Sequence, residues 1–296
     1  MADSSPPLAD SSPPPSPPGP RQPPPALAGP LSAPYAFPRH RLKRRLTQAN
    51  KTPLVLVACG SFSPVTVLHL QMFEMTGRYV RDTDFDVVGS YLSPVSDAYN
   101  KPSLARARDR VAMCTLAVEA DDANASIMVD PWETLRCDDA GRPVYTRTAD
   151  TLRHFDYEIN HVLGGIQAAD GSRLDARIAL LIGADVAMTM SDPNVWDPAD
   201  IDVILGTYGA FIVERPAQTD IRKALRPLER YHKIWVVSSF YNDVSSTKIR
   251  AQLRNSEMVL DLPKPVFDYI RTHALYRDAG PNDQQDKKQH QGAAAQ

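Results

Sequence analysis

PLVLVAC (53–59) runs without a break into GSFSPVTVLH (60–69). The first seven residues are apolar with no polar alternation, the pattern of a parallel strand buried on both faces. After them the period changes: Leu68, Met72, Met75 and Tyr79 fall at i, i+4, i+7 and i+11, which predicts a helix. The joint is therefore strand, small-residue turn, helix. Gly60 permits a tight turn and a close ligand approach, and Pro64 ends the strand without needing an N–H donor. The free N–H groups and dipole at a helix start make an anion site. Thr66 and His69 stand one turn apart there, able to face a bound phosphate together. A turn of this kind also suits any α/β protein. It is neither a Walker loop, because no Gly-Lys-Ser/Thr follows, nor a GxGxxG fingerprint.

Outward from this joint the chain alternates. Strands are expected at 85–91, 125–129, 177–182, 210–213 and 233–237, and helices at 103–120, 148–162, 198–205, 246–253 and 265–273. Such alternation implies an α/β fold with a doubly wound, mostly parallel sheet, in which ligands bind beyond the carboxyl ends of the strands. The polar clusters GSFSP, SPVSDAYNK, DPWET, GAD and NDVSSTKIR all fall at those ends. In the last, Ser245, Ser246 and Thr247 precede Lys248 and Arg250. Cations in a first turn oppose the helix dipole, so they make sense beside polyanionic phosphates; a solvated Ser/Thr cap is the other reading.

Composition frames these motifs. Of the 27 prolines, 14 lie in the first 38 residues, too little apolar surface to offset the entropy of ordering, so residues 1–50 are expected to be a disordered tail. That tail offers a Pro-rich ligand for SH3-like domains, and its basic end, 39–45, a nuclear signal or a solvated linker. Residues 51–277 are one domain's length, and 278–296 a second polar tail. A net charge of −2 gives no basic excess for nucleic acid, and no stretch is apolar enough for a membrane span. Cys59, Cys114 and Cys137 lack metal spacing and suit a reducing compartment, so nucleus or cytoplasm is expected, with no protein-held metal. No Ser/His/Asp or Cys/His arrangement stands out. A reaction whose nucleophile is already an anion, such as nucleotidyl transfer onto a phosphate, needs none. Trp132 and Trp196 sit in polar loops, where an indole either packs or stacks a heteroaromatic, preferably cationic, ring.

GSFSPVTVLH, SPVSDAY followed by Lys101, DPWE, GAD, DPNVW, YGAFIVER and NDVSSTKIR, in this order, resemble the eukaryotic nicotinamide-mononucleotide adenylyltransferases over about residues 53–277. That family lies in the nucleotidyltransferase superfamily with a (His/Thr)-x-x-His turn on a Rossmann-like fold. The resemblance implies NAD synthesis from ATP and nicotinamide mononucleotide, or its nicotinic acid counterpart, with Mg²⁺ held mainly by ATP. It implies that Gly60, Ser61 and Phe62 lie against the nucleotide, that Thr66 and His69 contact ATP phosphates, and that Lys101 reaches the phosphate region. Trp132 and Trp196, with Val195 beside them, would hold the nicotinamide ring; Gly183 and Asp185 would contact the dinucleotide. Asn242 would approach the nicotinamide nucleotide, Arg215 would bind substrate, and Ser246, Thr247, Lys248 and Arg250 would bind the triphosphate. The expected partners are the small-molecule substrates and further copies of the chain in a homo-oligomer. Departures from the family pattern are Ser63 in place of Asn, Arg108-Asp109-Arg110 in place of Tyr-His-Arg, and Arg254-Asn255-Ser256-Glu257 in place of Arg-Arg-Gly-x-Ser.

Overall fold

An apolar run with no polar alternation can only be satisfied by cover on both faces, and β1 (Thr52–Gly60) obtains it. Leu54, Leu56 and Ala58 enter one core; Val55 and Val57 enter the other. The structure is a computed structural model of the 296-residue chain. It describes residues 24–99, 101, 103–120, 126–214, 220–238, 246–254, 259 and 261–276.

After β1 come α1 (Val67–Tyr79), β2 (Phe85–Pro94), α2 (Ala107–Glu119), β3 (Ile127–Val129) and the short α3 (Trp132–Leu135). Next are α4 (Thr148–Asp156), which widens into a π-type turn over Tyr157–Val162, and the hairpin β4 (Ile166–Gln167) and β5 (Arg173–Leu174). The second half holds β6 (Arg177–Gly183), α5 (Ala184–Ala187), α6 (Pro198–Ile201), β7 (Ala210–Val213), α7 (Ile221–Leu225) and β8 (Ile234–Val237). Helices α8 (Ser246–Arg254) and α9 (Lys264–Thr272) follow. The main sheet has six parallel strands in the order β3-β2-β1-β6-β7-β8. Strand order reverses between β1 and β6, which pair from Leu54↔Arg177 to Val57↔Leu180. A doubly wound sheet opens its crevice at such a switch point, here just past Gly60 and Gly183.

The expected strands and helices appear, with shifted ends. β2 runs on to Pro94, and the helix expected from residue 103 starts at Ala107. The β4–β5 hairpin, α5 and α7 are too short to give a periodic signal in sequence.

The expected tail boundary at residue 50 needs correction. From residue 24 the chain is described, and much of it is packed. Leu42 and Leu46 are buried, and Leu42 Cδ1 lies where a Cβ on Gly89 would come within 2.9 Å. Lys43 N–H donates to Val88 O and Leu46 N–H to Gln167 O, both at 2.8 Å. Arg41 donates to Ile127 O and Arg44 to Leu163 O, both at 2.7 Å. Tyr91 Oη donates to Pro38 O at 3.0 Å. The prolines dominate the average composition of the tail and hide two leucines spaced to dock. Two guanidiniums of the basic run are thus spent on backbone carbonyls. Residues 1–23 and 277–296 lie outside the described residues.

Candidate active site

A cavity of about 410 Å³ opens at the switch point. One part of its wall is built by the turn after β1. Phe62 there is buried at a φ of +41°, a left-handed conformation rare for a bulky residue. Its ring meets His69 edge-on, 5.2 Å between centroids, and lies within 3.1 Å of any Cβ placed on Gly60. Glycine at 60 is what leaves room for that ring.

His69 occupies the third position of α1, where Glu or Gln often reaches back to the N-cap backbone. Its Nδ1 does the same: Thr66 N–H donates to it at 3.0 Å, and Thr66 Oγ1 stands 2.8 Å away. A nitrogen that accepts cannot carry the proton, so the neutral imidazole holds it on Nε2. Thr66, 1% exposed, fixes the tautomer.

The second motif closes on the first across most of the chain. Ser246 Oγ donates to Pro64 O at 2.9 Å, and Arg250 Nη1 to Ser63 O at 2.9 Å. Arg250 Nη2 also donates to Thr247 Oγ1 at 3.2 Å, and the side chain is buried. The starts of α1 and α8 therefore converge, with Ser246 and Thr247 on the cavity wall. Lys248 is exposed, and neither it nor Arg250 lines the cavity. Arg250 thus clamps the two motifs together.

Ser61, Lys101, Gly183 and Asp185 also line the cavity, beside Gly60, Thr66 and His69. Gly183 ends β6 and caps α5; a Cβ there would come within 2.5 Å of Asp185 Oδ1. Part of the wall is aromatic. Val195, Trp196, Tyr99 and Tyr145 line it, with Tyr145 54% exposed and stacked on Tyr99 at 6.1 Å. Trp196 Nε1 donates to Thr189 Oγ1 at 3.0 Å. Arg147 bonds Asp197 at 2.8 Å and Asp200 at 3.1 Å, which holds the segment carrying Tyr145 beside the one carrying Trp196.

The Cytidylyltransferase-like family model matches residues 57–252. The chain is 46% identical over 251 residues to the protein named nicotinamide/nicotinic acid mononucleotide adenylyltransferase 1 of Saccharomyces cerevisiae (82% of this chain, 60% of that one). Identity is 44% to the adenylyltransferase of that name in Schizosaccharomyces pombe (83% and 67%) and 32% to that of Arabidopsis thaliana (82% and 98%). The chain belongs to the nicotinamide/nicotinic acid mononucleotide adenylyltransferase family. It spans about 60% of the length of the budding-yeast relative and nearly all of the plant one.

Within this family frame, the paired indoles expected from sequence are corrected. Trp132 is 5% exposed, does not line the cavity, and stacks flat on His154 at 4.0 Å. Arg136 sits 4.8 Å from its ring centroid. The aromatic surface offered beside Trp196 comes from Tyr145, whose segment carries no sequence motif. Arg215 and Asn242 lie outside the described residues.

Two of the departures from the family pattern, at Ser63 and at Arg108-Asp109-Arg110, are absorbed into the frame of the turn; Asn255, Ser256 and Glu257 lie outside the described residues. Ser63 Oγ accepts from Ala105 N–H at 3.0 Å and lies 2.9 Å from Tyr276 Oη. Arg110, fully buried, donates to Ala105 O, Ser61 O and Val95 O and pairs with Asp97 at 2.9 Å. Asp109 accepts from Tyr269 Oη at 3.0 Å.

Sequence reasoning also missed Glu133 as a site residue. It lines the cavity at 2% exposure, and its Oε2 accepts from Thr151 at 3.3 Å and Ser93 at 3.5 Å. Burial pushes its carboxyl up to about 8, against the opposing pull of those hydroxyls and of Arg110. Among the described residues no three His, Cys, Asp or Glu side chains gather to hold a metal, and no helix is long and apolar enough to cross a membrane.

Proposed function

We propose that this chain transfers the adenylyl group of ATP to nicotinamide mononucleotide, or to its nicotinic acid analogue, releasing pyrophosphate and forming NAD or its deamido form. The observation that carries this reading is the cavity itself: its wall holds both the converging starts of two helices and exposed aromatic rings. A dinucleotide needs both.

ATP phosphates lie against the starts of α1 and α8, where the helix dipoles, Ser246, Thr247 and His69 meet negative charge. Gly60 and Ser61 let the nucleotide approach the backbone, and Lys101 adds a cation at the rim. The pyridine ring lies by Trp196, Val195 and Tyr145, and Asp185 accepts hydrogen bonds from a ribose. Arg215 and Asn242 contribute as the resemblance implies. A phosphate oxygen of the mononucleotide attacks the α-phosphorus of ATP in line; that P–O bond forms as the bond to the β-phosphate bridging oxygen breaks. Nucleophile and leaving group are both phosphate oxygens, so no proton need move. His69 holds its Nε2 proton toward charge building on the reacting phosphates, with Thr66 locking its tautomer. Mg²⁺ fits the donor set as an ion carried on the phosphates, since it keeps several waters and takes few protein carboxylates; bound there, it would neutralise phosphate charge. Further copies of the chain are proposed as partners in a homo-oligomer.

The test is incubation with ATP, Mg²⁺ and each mononucleotide in turn, followed by chromatography. Equal amounts of dinucleotide and pyrophosphate are expected. No dinucleotide with either acceptor would reject the reading.

A further inference from the structure

Thr146 leads into α4 and lines the cavity at 3% exposure. Among the described residues its Oγ1 is the one buried side-chain polar atom without a hydrogen-bond partner. Burying a hydroxyl unpaired forfeits what water would have given it, so a fold tolerates the loss where something else supplies the bond. Its two neighbours fix where it sits. Tyr145 is one of the exposed rings, and Arg147 bonds Asp197, the residue after Trp196. The hydroxyl therefore sits on the segment that brings Tyr145 beside Trp196.

We infer that Thr146 Oγ1 is a specificity contact for the carboxamide or carboxylate substituent of the pyridine ring. This rests on the adenylyl-transfer reading. A hydroxyl has one proton to give and two lone pairs to offer, and it rotates to suit. To a carboxylate it donates; to a carboxamide it donates to the oxygen or accepts from the NH₂. One side chain thus serves the acid and the amide, where a fixed cation or carboxylate would choose between them. Glu133, on the same wall and raised to about 8 by burial, is a neutral carboxyl at pH 7 and does not repel an acidic substituent.

Thr146→Val keeps the shape and removes the hydroxyl. With both mononucleotides its KM should rise roughly 5- to 20-fold, the worth of one buried hydrogen bond, while KM for ATP and kcat stay within about 2-fold. The free protein should melt at the same temperature or higher, because an unpaired polar atom has gone. Thr146→Ser should stay near wild type in both KM values. If the Val chain does not fold, Thr146→Ala carries the same kinetic test. Unchanged KM for the mononucleotides, equal weakening of ATP, or a lower Tm for Thr146→Val would each overturn the inference. A wild type that makes no dinucleotide rejects the adenylyl-transfer reading and this inference together; an active wild type with an indifferent Val variant rejects this inference alone.

Discussion

His69 shows what one hydrogen bond decides. Because Nδ1 accepts from Thr66 N–H, Nε2 is a donor whether or not a substrate is present, and the helix start adds its field to it. His69→Ala should lower kcat by about 10²–10³, the usual effect of losing one preorganised donor, with a much smaller change in ATP affinity. Single-turnover kinetics and ATP titration separate the two. A folded His69→Ala chain with near-normal kcat would remove this turn from the catalytic centre. Thr66 and His69 were legible in sequence because their partnership is local, three residues on one helical turn. Tyr145, Thr146 and Glu133 were not, since what marks them is burial or exposure on a cavity formed by distant segments. Trp132 was misread for the same reason: an indole after Asp130-Pro131 looks alike in sequence whether it stacks a ligand or lies flat on His154.

Among the elements, β1, α1 and β6 were readable because each carries its own periodicity, and the crevice follows from their order in the sheet. The segment ahead of β1 was not, because two buried leucines among prolines and arginines make no periodic pattern. It acts as a strap. Phe37 packs edge-on to Phe155 and tilts against Tyr91, and Tyr35 Oη lies 3.0 Å from His154 Nε2, which also bonds Asp130. Two truncations follow from this. A chain beginning at residue 24 should melt with the full-length chain. One beginning at residue 51 should lose on the order of 10 °C, since burying each of Leu42 and Leu46 is worth about 2–5 kcal/mol and a kcal/mol moves Tm by about 2–4 °C at this size. Scanning calorimetry on both decides it, and equal melting of the two chains would mean that the strap contributes nothing.

At the scale of the whole molecule, a parallel sheet buried on both faces leaves polar chemistry only at its carboxyl edge, and Glu133 is what that arrangement costs. Its carboxyl lies under the cavity at 2% exposure, where burial favours the neutral form up to about pH 8, against an ordinary value of 4.5. Below 4.5 the folded and unfolded chains both hold this proton, and Glu133 makes stability independent of pH. Between 4.5 and about 8 the folded chain keeps a proton that the unfolded chain has released, so stability falls as pH rises, by about 1.4 kcal/mol per unit. Above 8 both states are ionised and the decline stops. Glu133→Gln removes that titration and keeps the size of the side chain. Other groups titrate in both proteins and cancel in the difference. Subtracting the wild-type Tm from the Gln-variant Tm should therefore give a value that climbs from pH 5 to pH 8 and then levels. Any hydrogen bond weakened by the amide adds a constant offset and leaves the slope intact. A difference that is flat across that window would mean that Glu133 is ionised in the folded protein at neutral pH, and that the acceptor wall carries a negative charge.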